Sequence, residues 1–269
     1  PETGASLETA RADGGNVQVV YSPLDALTTA RENPALHVVF LGIGFETTTP
    51  AVAWTLHQAA DEDLSNFTVL CAHKTIPGPM LTLAQAPDLR LDGFLCPGHV
   101  SVIIGSTAYQ TICDESHVPC VVAGFEPEDI AQGLAMLLRQ TLEGGAEVWN
   151  QYERAVTPEG NVAAQQAVDA VFTPADAAWR GLGTIPQSGL NIRAAYAAYD
   201  AAKRYPNLDL PEPELQTECR CGEVLRGVCV PTECPLFGKV CTPTKPVGPC
   251  MVSSEGACAA YFRYHTSRR

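Results

Sequence analysis

The sequence predicts an α/β fold, with parallel sheets flanked by helices in one or two subdomains, followed by a small C-terminal unit held together by thiols. Three observations carry this. Short apolar, β-branched runs alternate with helical stretches through the first two thirds of the chain. Seven of the eleven cysteines fall between 219 and 269. That stretch also counts seven Lys/Arg against three Asp/Glu, or +4, which leaves ten against twenty-seven, or −17, for residues 1–218 of a chain whose total is −13.

Taken in order, Asn16–Tyr21 (NVQVVY) reads as a strand, and Ser22-Pro23 starts a helix through Arg31, with proline in the first turn. His37–Ile43 (HVVFLGI) reads as a buried strand, and the Gly44–Pro50 loop leads into a helix from Ala51 to Ala60. Phe67–Ala72 (FTVLCA) is the next strand and Met80–Ala86 the next helix. Gly93–Cys96 is a short strand ending in a Pro-Gly-His turn, and a helix is expected near Ile104–Ile112. Val118–Ala123 (VPCVVA) is a further strand. Glu126 then opens a helix to Leu142, its acidic first turn matching the helix dipole. Alanine content makes Val148–Tyr205 mainly helical, interrupted by a Gly/Pro loop at Trp179–Gly189. Pro206–Pro213 is an acidic, proline-rich linker. The expected division is residues 1–120, 121–210 and 211–269.

Composition limits the function. With 46% hydrophobic residues the chain is globular, and no apolar run is long enough to span a bilayer, so no membrane segment is expected. A net charge of −13 argues against nucleic-acid binding, which needs clustered cations to replace phosphate counterions. No signal peptide is visible, and a cytoplasmic location is expected.

The densest chemistry is Cys219-x-Cys221, then Cys234, Cys241, Cys250 and Cys258, with Cys229 in addition. Gly and Pro lie between them, as expected where a chain wraps an inorganic centre. Four thiolates suit tetrahedral zinc or an iron–sulfur cubane. Zinc modules normally show two tight C-x2-C pairs, which do not occur here, and an odd count without an export signal fits disulfides poorly. Spacing alone favours iron–sulfur and leaves zinc and disulfides open.

The residues between these cysteines carry a resemblance. Cys219-Arg-Cys221-Gly-Glu-Val-Leu-Arg-Gly227, Cys234-Pro-Leu-Phe-Gly-Lys239, Cys241-Thr-Pro243 and Pro246-Val-Gly-Pro-Cys250 through Cys258-Ala-Ala-Tyr261 closely resemble the C-terminal signature of the hydrogenase maturation family HypD. Tyr21-Ser-Pro-Leu-Asp-Ala26, Gly44-Phe-Glu-Thr-Thr48, Pro97-Gly-His-Val-Ser101, Gly124-Phe-Glu-Pro127, Asn150-Gln-Tyr152 and Trp179-Arg-Gly-Leu-Gly183 look like that family's internal blocks, in the family's order.

The resemblance implies a scaffold, working with the small chaperone HypC and a HypE-like cyanide donor, on which the Fe(CN)2CO fragment of [NiFe]-hydrogenase is built. It implies a [4Fe-4S] cluster on Cys219, Cys234, Cys241 and Cys258, beside a redox dithiol, Cys221 and Cys250. Cys229 stands where the family has an apolar residue, and reads as packing. The family also has an earlier region with Cys-Gly-x-His and Gly-Pro-Gly-Cys-Pro-x-Cys motifs. Neither occurs here, so the chain reads as an N-terminally truncated copy or a fragment, holding the cluster without the main iron-binding cysteines. A disulfide reductase resembling ferredoxin-thioredoxin reductase and a structural zinc module are the alternatives.

Outside the cysteine segment, Gly44–Pro50 lies between a strand and a helix, where α/β proteins place their sites. Glu46 and its threonines are candidates there, against a plain capped turn; the P-loop lysine is absent. His99, at another strand end, is a candidate proton carrier or metal ligand, and His73 a weaker one. Cys71, Cys96, Cys113 and Cys120 sit on or near apolar strands and read as small hydrophobes.

Overall fold

The computed structural model describes residues 6–207 and 218–265, so residues 208–213 of the expected linker lie outside the described residues. A short helix α1 (Leu7–Ala12) precedes α2 (Pro23–Glu32). Ser22 caps α2 as expected: its hydroxyl accepts from the Leu24 amide at 3.2 Å, and Asp25 accepts from the Ser22 amide at 3.0 Å. Strand β1 (Val38–Gly44), helix α3 (Thr49–Asp61) and strand β2 (Phe67–His73) form a parallel crossover unit, with register from Val38 opposite Phe67 to Gly44 opposite His73.

After α4 (Pro77–Ala84), a second parallel sheet is built from β3 (Phe94–Pro97), β4 (Cys120–Ala123) and β5 (Val148–Asn150), in that order. Helices α5 (Gly98–Ile104) and α6 (Gln110–Ser116) make the first crossover and α7 (Pro127–Glu143) the second. Helix α8 (Val162–Val171) then runs directly into an antiparallel hairpin, β6 (Phe172–Trp179) and β7 (Gly183–Ile192). The short helices α9 (Ala201–Arg204), α10 (Cys221–Leu225) and α11 (Pro249–Val252), and the terminal α12 (Ala257–His265), complete the fold. Among the described residues no helix is long and apolar enough to cross a membrane.

Three apolar clusters hold these elements. The first joins Leu27, Leu56, Phe67 and Val69 to Val171, Phe172 and Ile192, so the hairpin packs on the first sheet. Each large side chain buried there stabilises by about 1.5–3 kcal/mol. The second gathers Tyr109, Ile112 and Val122 with Cys96, Cys113 and Cys120, where these thiols act as small hydrophobes. The third is the cysteine-rich unit, with Leu236 and Met251 among its thiols.

Four expectations are corrected. Residues 16–21 form no strand; Val19 is 75% and Tyr21 100% exposed, and among the described residues no neighbour offers a ladder. β1 is an edge strand rather than a buried one, with Ile43 68% exposed. The helix expected over 104–112 is broken at Gly105, whose φ of 82° and close approach to the Pro158 carbonyl end α5 before α6 begins. The segment 148–205 contains three strands. Ala175 and Ala177 alternate with exposed residues along β6, and most of the expected Trp179–Gly189 loop is β7. Pairing with β7 outweighs the helical preference of alanine.

A cysteine-lined candidate metal centre and its hairpin contact

Six thiols, from Cys219, Cys221, Cys234, Cys241, Cys250 and Cys258, line one small pocket together with Phe237, Gly248 and Met251. Cys229 is buried but does not line it. Local bonding explains the convergence. Arg220 donates to Glu223 at 3.0 Å and to the Glu233 carbonyl at 3.3 Å, drawing the Cys219–Cys221 segment towards Cys234. Cys241 sits in a tight collar: its amide donates to the Leu236 carbonyl at 2.9 Å and its carbonyl accepts from Gly238 at 3.0 Å. The Val247 amide donates to the Cys241 sulfur at 3.3 Å, an arrangement that stabilises a thiolate. Cys250 lies on α11 and Cys258 on α12. Gly248 leaves room for sulfur, since a methyl there would stand 2.5 Å from the Cys219 Sγ.

The thiols are electrostatically unequal. Cys221 is pulled down to about 7, first by its hydrogen bond with Cys250 and against the cost of burial. Cys250 is pushed up, because it is hydrogen-bonded to both Cys221 and Cys258 and burial adds to the effect. Cys258 is lowered, again first by Cys250. Cys250 therefore keeps its proton and donates it, leaving its neighbours the thiolate character. Cys219 is raised, first by burial.

The residues fit a sulfur-ligated group by donor type: the lining carries six thiols and no imidazole or carboxylate. Among the described residues no three His, Cys, Asp or Glu side chains are preset around one ion position, so the thiols line a pocket rather than a point.

Glu46 lies elsewhere, on the loop between β1 and α3. It is 8% exposed; one carboxylate oxygen accepts from the Ile76 amide at 2.8 Å, and the other is buried without a partner. Burial raises its carboxyl above the usual range. The Thr48 and Thr49 hydroxyls both donate to the Phe45 carbonyl, at 3.1 and 2.9 Å, so they shape the turn. Glu46 and Thr49 border a cavity of about 410 Å³ that also takes in Thr75, Gln165, Asp169 and Gln187. The sequence patterns single out none of these last four, because they come from three separated segments: the loop after β2, helix α8 (Gln165 and Asp169) and β7.

His99 is exposed on α5 with its ring 4.2 Å from that of Phe125, and lines neither the Glu46 cavity nor the cysteine pocket. His73 is buried on β2, its Nδ1 3.6 Å from the Cys71 sulfur and its Nε2 without a partner. Burial lowers it to about 4, so it is neutral.

The hairpin reaches both regions. At its β6 end Trp179 stacks on Phe45 with centroids 6.1 Å apart, Lys74 lies over the indole at 4.7 Å, and the indole donates to Ser188 at 2.7 Å. At its tip Gly181, with φ of 84°, lies against Cys221 and Gly222. A second anchor joins the cysteine unit to the body. Arg226 donates to Asp88 at 2.8 and 3.1 Å, and its carbonyl accepts from the Arg90 amide at 2.8 Å. The two glycines of the Trp179–Gly183 block, Gly181 and Gly183, both at positive φ, are the sequence signal of the hairpin-tip contact.

The family model described as "HypD: Hydrogenase formation hypA family" matches residues 1–265. The chain is 47% identical over 278 residues to hydrogenase maturation factor HypD2 of Bradyrhizobium diazoefficiens, covering 99% of this chain and 73% of that protein. It is 48% identical over 275 residues to HypD of Rhodobacter capsulatus, covering 100% and 72%. Against HypD of Escherichia coli K12 it is 47% identical over 270 residues, covering 98% and 71%. Identity at this level along nearly the whole chain, together with the family match and the converging cysteines, places the chain in the HypD hydrogenase-formation family.

Proposed function

We propose that this chain acts in hydrogenase maturation as a scaffold and redox protein for the Fe(CN)2CO fragment, together with a HypC-like chaperone and a HypE-like cyanide donor, and serves the hydrogenase large subunit indirectly. The supporting observation is the gathering of six thiols, Cys221 and Cys250 among them, into one pocket.

In this reading Cys219, Cys234, Cys241 and Cys258 hold a [4Fe-4S] cluster, which supplies one-electron chemistry when bound. Cys221 and Cys250 are the dithiol. Cys221, the more acidic of the two, is the attacking thiolate, and Cys250 retains the proton. When the pair closes to a disulfide, two electrons and two protons leave it for the disulfide of an exchange partner, which becomes two thiols. Cys221 is 3% exposed, so exchange requires a partner at the hairpin side or movement of the tip. Glu46, a buried carboxyl, and His99, an exposed imidazole at a separate place on the body, are the residues assigned to hold or pass protons. A reducing, cytoplasmic setting keeps such thiols available.

The test is a thiol count on anaerobically purified protein, before and after mild oxidation. Wild-type protein loses a pair of thiols, and the Cys221→Ser/Cys250→Ser protein loses none while keeping its iron. Equal thiol loss in both proteins contradicts the dithiol assignment.

A further inference from the structure

Charge is distributed unevenly around the cysteine pocket. From Cys234 to Ser254 the chain carries two lysines, Lys239 and Lys245, and no Asp or Glu, within a protein of net charge −13. Both lysines are exposed, and Val240 between them is 52% exposed. The arginines at the start of the unit are committed, Arg220 to Glu223 and Arg226 to Asp88, whereas no ion pair among the described residues takes up Lys239 or Lys245.

Backbone geometry fixes where these lysines stand. They flank Cys241 on the collar: Gly238 donates to the Cys241 carbonyl, the Lys245 amide to the Thr242 carbonyl at 3.0 Å, and Val247 to the Cys241 sulfur. Phe237, at the start of the collar, lines the pocket itself. Another part of the unit, around Cys221 and Gly222, is covered by the hairpin tip. The collar, with its run of exposed residues, is therefore a solvent-facing wall beside the thiols.

We propose that the collar from Phe237 to Val247 is the docking surface for a small, acidic, one-electron carrier protein that supplies electrons to the cysteine pocket. The inference rests on the cluster assignment above. Two cations around an exposed apolar residue match the polar rim and apolar centre of a transient interface. The acidic body, at −17, repels an acidic carrier, while the stretch 234–254 offers two lysines and no acid, so the charge pattern favours approach at this wall. The electron count closes: two carriers are each oxidised by one electron, the Cys221–Cys250 disulfide bond breaks, and two protons from solvent complete the two thiols.

The experiment uses the full chain, purified anaerobically, with a reduced plant-type [2Fe-2S] ferredoxin as the acidic carrier. Stopped-flow bleaching of the visible absorbance is compared in wild type and the Lys239→Glu/Lys245→Glu protein, with dithionite as a small-molecule control. Wild-type reduction by ferredoxin is expected to slow about tenfold between low and high salt. The double variant is expected to be about tenfold slower at low salt and insensitive to salt, while dithionite reduces both proteins equally. Calorimetric binding of oxidised ferredoxin should weaken by a similar factor. A variant that ferredoxin reduces and binds as well as wild type overturns the docking surface, as does a wild type that dithionite reduces and ferredoxin does not. Protein lacking iron and sulfide overturns the cluster assignment itself, and the docking surface with it.

Discussion

A methyl group on Gly222 would stand 2.6 Å from the carbonyl oxygen of Gly181, so the first turn of the helix carrying Cys221 and the tip of the β6–β7 hairpin are in direct backbone contact. Neither backbone can yield without moving its element. Gly222→Ala is therefore expected to cost about 1–3 kcal/mol, the usual penalty of overpacking, and to loosen the cover over Cys221. Denaturant titration measures the first effect and alkylation of Cys221 the second. Unchanged stability together with an unchanged alkylation rate would mean that the contact is not made.

Cys229 and Cys219 separate packing from ligation. Cys229 is buried away from the pocket, so Cys229→Ala should keep its full iron content and lose about 1 kcal/mol of stability. Cys219→Ala removes a pocket thiol and should lower iron and sulfide together. Iron and sulfide assays on the two proteins check the contrast, and equal losses would contradict it.

His73 makes a pH prediction. Its folded value, about 4, lies below the unfolded value of about 6.5, so the unfolded chain binds more protons between them. The stability that depends on neutral His73 is present above the unfolded value and is lost as pH falls towards the folded one. Between pH 7 and pH 5 the loss should be about 2 kcal/mol. Denaturant titrations at the two pH values should show this loss in wild type and not in His73→Gln. A parallel decline in both proteins would assign the effect to other groups.

Glu46 has the opposite sign. Burial raises its carboxyl, so the folded state holds a proton that the unfolded state releases, and stability falls as pH rises through the folded value. Glu46→Gln keeps an acceptor for the Ile76 amide and removes the buried charge. The variant should be more stable than wild type by on the order of 1 kcal/mol above neutral pH, and the difference should shrink on acidification. Thermal melts across pH test this, and a less stable variant at pH 8 would show that the carboxylate has a partner in solution.

The parallel crossovers were legible because FTVLCA and VPCVVA are apolar runs too short for helices, and Ser22-Pro23 announces its helix by capping chemistry. The cysteine pocket was legible from spacing and intervening residues. The β6–β7 hairpin was not, since its alanines favour helix locally and only the partner strand reveals the alternation. The Glu46 cavity was half visible: its loop shows in sequence, whereas Gln165, Asp169 and Gln187 come from remote elements that tertiary packing brings together. His99 matched a family block, yet lies outside both pockets.

The proposed iron–sulfur cubane in the six-thiol pocket is tested most directly by iron and acid-labile sulfide per chain in anaerobically purified protein. About four of each are expected, in a brown protein that bleaches on reduction. A colourless protein containing one zinc and no sulfide would contradict it.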